Sequence, residues 1–222
     1  MAYDLEEQEQ LDTLKSWWKQ YGNLVTWLLV LALSGYAAWT AWSGYQRNQS
    51  MQASQLFDEL QRSVVAADNA KVLRATNDLI DKFPRTSYAS MATLSAAKSA
   101  FDVGDFKVAK VQLHWVIDHS NLDEYKVLAK IRLAGIALDE KAYDEGLSLL
   151  SGDLSSEFAG EIADRKADIY VAQNKITEAR AAYQVALDKF NVKNPGRQLT
   201  QIKLDAIGGS SGVKLAAQAV AK

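Results

Sequence analysis

The sequence predicts an all-α chain: a membrane-spanning N-terminal helix, then an α-solenoid of about four helix pairs closed by a C-terminal capping helix. Three observations carry that prediction. Only two prolines, Pro84 and Pro195, occur in 222 residues, and proline is the residue that breaks helix interiors. No charged residue lies between Lys19 and Arg47. Farther on, three turn-bearing segments recur at the interval of a helix–turn–helix repeat.

Composition narrows the function classes. With 25 basic and 27 acidic residues the net charge is −2, so the chain lacks the basic surplus that displaces counterions from nucleic acid. At 48% hydrophobic residues it has enough apolar surface to build a core. It contains no cysteine, which removes disulfide frames, thiol nucleophiles and thiolate zinc clusters.

The first element is the membrane helix. Five of the six tryptophans lie from Trp17 to Trp42, and the apolar run Leu24–Trp42 is 19 residues long. At about 1.5 Å per residue it spans roughly the 30 Å hydrocarbon layer. Trp17, Trp18 and Tyr21 flank one end and Trp39, Trp42 and Tyr45 the other, as expected where amphipathic rings sit among headgroups. A cleavable signal peptide is the rival reading, with an apolar stretch of about 7–15 residues before a small-x-small site. Here the run is longer, and Trp39, Trp42 and Tyr45 crowd the one candidate site at Ala41-Trp42-Ser43. An uncleaved anchor is therefore expected. Lys15 and Lys19 precede the span and only Arg47 closely follows it, so the positive-inside rule favours a cytoplasmic N-terminus. The expected organisation is a cytoplasmic segment 1–23, a transmembrane helix 24–44, a repeat domain 45–207 and a flexible tail 208–222. Within the span, Ser34, Ala37, Ala38 and Ala41 form a strip of small side chains, a candidate contact face for another membrane helix.

Residues 46–66 continue as a helix with Leu56, Phe57, Leu60, Val64 and Val65 as its apolar stripe. The repeats follow. Gly104-Asp-Phe-Lys-Val-Ala109, Lys141-Ala-Tyr-Asp-Glu-Gly146 and Asn174-Lys-Ile-Thr-Glu-Ala179 align, with apolar anchors Phe106, Tyr143 and Ile176. Small residues (Ala97, Ala134, Ala167) precede each turn at a common offset, and Leu113, Leu150 and Tyr183 follow. This pattern resembles the tetratricopeptide repeat, in which small residues at the crossing let paired helices interdigitate. A degenerate unit ends at Lys82-Phe83-Pro84, where Thr86 or Ser87 can cap the next helix. The segment Leu199–Ile207 is expected to cap the last exposed face.

No catalytic, cofactor or metal constellation emerges. His114 and His119, the only histidines, are five residues apart and do not share a helical face as a metal-binding pair would. Counting from the small residues, the inward face of the repeats takes in Met91, Leu94, Phe101, Leu128, Ile131, Leu138 and Val171, with Lys98, Asp164 and Asp168 interspersed. Two readings stay open there: a groove for an apolar partner segment, or a solenoid that closes on these residues as core.

The opening Tyr3-Asp-Leu-Glu-Glu-Gln-Glu-Gln-Leu-Asp-Thr-Leu-Lys-Ser-Trp-Trp-Lys-Gln-Tyr-Gly22, together with Ala163-Asp164-Arg165-Lys166-Ala167-Asp168 and Gln201-Ile-Lys-Leu-Asp205, resembles the YfgM family of ancillary subunits of the bacterial SecYEG translocon. The resemblance covers residues 3–207. It implies a single-span inner-membrane protein with its repeats in the periplasm, associated with SecYEG and a PpiD-like membrane chaperone. It further implies a role in passing nascent secreted chains to periplasmic chaperones, with no enzyme activity, cofactor or nucleic acid. The alternative is an assembly scaffold that docks one folded partner without binding clients. Gly146 and Lys166 depart from the usual repeat residues and put the stacking of the second and third repeats in question.

Overall fold

A computed structural model describes residues 3–152 and 154–208, with side chains from residue 9 onward. Residues 209–222, nearly all of the expected tail, lie outside the described residues. The described chain is helical: α1 (Tyr3–Val65), α2 (Asn69–Lys82), α3 (Ser87–Asp102), α4 (Phe106–His119), α5 (Asp123–Asp139), α6 (Tyr143–Leu149), a 3-10 turn (Ser156–Phe158), α7 (Ala159–Ala172), α8 (Ile176–Lys189) and α9 (Pro195–Ala206). Two units are distinguished, Met1–Met51 and Gln52–Lys222.

The first unit is a single helix whose large apolar side chains face outward. Trp27 is 69% and Leu31 71% exposed, a state that water penalises at about 25 cal/mol per Å² and hydrocarbon does not. The hydroxyls of Thr26, Ser34 and Thr40 donate to the carbonyls of Gly22, Leu31 and Ala37 at 2.7, 3.0 and 2.9 Å. Each of these three hydroxyls thus finds its acceptor within the helix, as a lipid environment demands. The helix fits a single-pass membrane protein.

In the second unit a single turn geometry is used four times. Ala67, Gly104, Lys141 and Asn174 each adopt a left-handed conformation, with φ of 53, 80, 62 and 60°. At each, the turn residue's N–H donates to the carbonyl three residues back, and the next N–H to the carbonyl five residues back, as in Gly104→Phe101 and Asp105→Ala100, both at 2.9 Å. The sequence pattern exposes three of these turns. The fourth, at Ala67, has the polar Asn69 where the others carry an apolar anchor and becomes legible only from the backbone. Asp68 and Asp105 then cap α2 and α4 by accepting from Lys71 and Val108 N–H. The N-cap role lowers the Asp68 carboxyl below its ordinary range, chiefly through the Lys71 backbone N–H.

These turns produce four helix pairs: the end of α1 with α2, then α3/α4, α5/α6 and α7/α8, with α9 covering the last. Ala53, Phe57 and Leu60 of α1 pack with Val72, Ala75 and Leu79 of α2 and with Ala92 and Ala96 of α3. The crossings are small as expected, with Ala109, Ala134, Ala167 and Ala179 wholly buried. Gly146 keeps the second and third repeats in contact, since a Cβ there would lie 2.9 Å from Ile169 Cδ1. The departure from alanine is therefore a close approach between α6 and α7. Helix α6 has only 7 residues against 14 in α4 and α8.

The capping helix starts four residues before the expected position. Asn194 Oδ1 accepts from Gly196 N–H at 2.8 Å and Pro195 occupies the first helical position, a start that proline's fixed φ favours. Charge fastens this helix to α7. Lys203 Nζ donates to Asp164 Oδ2 at 2.8 Å and to Asp168 Oδ1 at 2.9 Å. Thr200 Oγ1 donates to Asp164 and Tyr183 Oη to Asp168, both at 2.7 Å. Burial, reinforced by the Asp168 bond, raises the Tyr183 phenol far above its ordinary pKa.

Candidate partner-binding groove

The first helices of successive pairs, α3, α5 and α7, stand side by side. Between them opens a cavity of about 350 Å³, within the second unit. Its apolar lining includes Ala97, Phe101 and Ile136; its charged lining includes Lys98, Arg132 and Arg165, with Asp102 and Asp139. Phe101 is 39% exposed and rests against Phe106 at a centroid distance of 5.4 Å.

The predicted groove residues divide by their burial. Leu94 and Ile131 are core, 5% and 8% exposed. Met91, Leu128, Leu138 and Val171 are half-buried against separate core clusters. Of the seven, Phe101 lines the cavity. The reason is the helical face on which the counting rested. Ile131, Ala134 and Leu138 share one face of α5, and that face packs with Tyr143 and Leu147 of α6 and with Ile162 and Ile169 of α7. The cavity is lined by the neighbouring stripe, Arg132, Gly135, Ile136 and Asp139, which has the same periodicity about 100° farther round. On α3, by contrast, the counted face does reach the opening through Ala97 and Phe101.

Arg132 and Arg165 were missed from sequence because neither sits in phase with the small residues. Arg132 Nη1 donates to the Leu94 carbonyl at 2.9 Å, and burial pushes its guanidinium below its ordinary pKa. The Arg165 guanidinium lies over Gly135, whose absent Cβ would be 3.5 Å from Cζ. Arg165 Nη1 reaches Asp168 at 3.4 Å, while its buried Nε has no acceptor.

Other candidates lie elsewhere. His114 and His119 are exposed, and His119 stacks on Trp115 at 4.9 Å. Ser34, Ala37, Ala38 and Ala41 are exposed on α1.

The fold is that of a tetratricopeptide-like helical repeat protein carrying one long apolar N-terminal helix. A family model described as a tetratricopeptide repeat-like domain matches residues 15–209. An ancillary SecYEG translocon subunit of Neisseria gonorrhoeae is 33% identical, over 93% of this chain and all of that protein. Proteins of the same description from Haemophilus influenzae and Escherichia coli are 28% and 21% identical, each over 90% of this chain and 95% of their own length. No solved structure matches the chain. The chain belongs to the family of ancillary SecYEG translocon subunits.

Proposed function

We propose that this protein associates with the SecYEG translocon through its membrane helix and holds polypeptide at the face of its repeats. In this reading residues 1–23 are cytoplasmic, 24–44 span the inner membrane and 45–207 lie in the periplasm. The repeats receive nascent secreted chains at the translocon exit and pass them, with a PpiD-like membrane chaperone, to periplasmic chaperones. The Ser34, Ala37, Ala38 and Ala41 strip is the proposed contact with another membrane helix.

One observation carries the reading: an apolar helix left uncovered by its own unit sits in the same chain as a repeat domain with an open, partly apolar cleft. Tethering raises the local concentration of that cleft beside the channel, so weak intrinsic affinity suffices. Phe101, with Ala97 and Ile136, supplies the apolar contact in the cleft; Met91, Leu94, Leu128, Ile131, Leu138 and Val171 belong to the packing of the repeats around it.

A photo-crosslinker at Phe101, introduced in the full-length protein in membranes, tests the reading. Many adducts of different mass are expected during active secretion. A single discrete adduct, unchanged when secretion is blocked, would instead identify a scaffold docking one folded partner. Protease digestion of residues 50–200 in spheroplasts, with protection in inverted vesicles, is the expected orientation result.

A further inference from the structure

The cavity between α3, α5 and α7 is cationic where the proposed function asks only for an apolar surface. Each guanidinium carries five N–H donors. One donor of Arg132 meets the Leu94 carbonyl, and one of Arg165 makes the 3.4 Å contact with Asp168. The other donors have no acceptor among the described residues, although Arg132 and Arg165 are both partly buried. Of the carboxylates nearby, Asp102 is paired with Lys98, and Asp139 is exposed at the rim. Two forked cations therefore converge beside an aromatic ring with most of their donors free. Partly buried guanidinium donors favour a planar carboxylate, which can engage two of them at once.

We infer that Arg132 and Arg165 form a subsite for an internal acidic side chain of a bound polypeptide, with the apolar residue beside it resting on Phe101. The inference rests on the partner-groove reading and adds the chemistry it selects. The carboxylate bridges donors on α5 and α7, and the neighbouring apolar side chain covers Phe101 and Ala97. Segments in which an acidic residue adjoins an aromatic or aliphatic one are thereby preferred over neutral or basic segments. The preference rests on the charge of the two guanidinium groups, so it weakens with salt.

The test uses the full chain in lipid nanodiscs and fluorescein-labelled, C-terminally amidated peptides. One peptide is Gly-Ser-Leu-Glu-Phe-Glu-Leu-Ser-Gly, and its counterpart carries Gln at both Glu positions. A third carries Gln at both positions and a free C-terminal carboxylate. By anisotropy, the acidic peptide is expected to bind about tenfold more tightly than the Gln peptide, and Arg165→Gln removes most of that ratio. Arg165→Lys keeps part of it, having the charge without the fork. Arg132→Gln has the same effect provided its thermal unfolding matches the parent's, and Arg165→Gln stands alone if it does not. Phe101→Ala weakens both amidated peptides alike. Equal binding of the acidic and Gln peptides, or a ratio that survives Arg165→Gln, overturns the subsite while leaving the groove intact. Tight binding of the free-carboxylate peptide alone overturns it in favour of a chain terminus. If none of the peptides binds and no adduct forms at Phe101, the groove reading falls and the subsite with it.

Discussion

The described residues of the two units, from Tyr3 to Met51 and from Gln52 to Gly208, are both mostly helical and both rich in apolar side chains, yet they dispose of them in opposite ways. In the first unit Trp27, Leu31 and Trp39 point outward, 65–71% exposed. In the second, Leu60, Leu79, Leu133 and Ile169 are sealed to 0–1%. The first arrangement is stable where hydrocarbon replaces water, because the helix satisfies its own backbone. The second needs partner helices, because in water apolar area must be covered by protein. A like substitution should therefore fail for different reasons in the two units.

The largest effect expected is from Leu94→Asp, which puts an unpaired carboxylate into the core of the repeats. It should cost about 4 kcal/mol or more, read as loss of the cooperative helical unfolding transition while the chain stays in the membrane fraction. Leu33→Arg should do the converse. A cation near the middle of the span costs about 3 kcal/mol of insertion, read as carbonate-extractable protein whose repeat domain melts normally. Equal effects of both changes on membrane retention would remove the contrast between the units.

The next effect sharpens the contrast inside the second unit, where a partly buried charge network holds α9. Lys203→Met leaves Asp164 and Asp168, 19% and 15% exposed, without their shared cation. A loss of about 2 kcal/mol is expected, below the full penalty for a buried pair because the site is partly wet. A lowered urea midpoint with early amide exchange in α9 checks it.

The smallest effects concern the repeated turn. Ala67 holds a φ of 53° that alanine disfavours, so Ala67→Gly should stabilise the repeats by about 0.5–1 kcal/mol. Gly104→Ala should lose a similar amount, since an added Cβ meets nothing within 4 Å and only the backbone is strained. Thermal unfolding of the two variants in opposite directions is the expected result.

Periodicity and the charge-free run made α1, the alanine crossings and three of the four turns readable before any coordinates, because each depends on residues adjacent along one helix or turn. The membrane helix is the extreme case, since its chemistry faces outward and needs no partner to be recognised. Which stripe of α5 faces α6 and which faces the cavity depended on how neighbouring helices pack. Ile131 and Arg132 are adjacent in sequence, so only the rotation set by α6 and α7 sends one to the core and the other to the opening. The same is true of Arg165 beside Gly135 and of Lys203 between Asp164 and Asp168, pairings made across 30 to 39 residues. Local propensity carries no information about such meetings; the packing of whole helices against one another creates them.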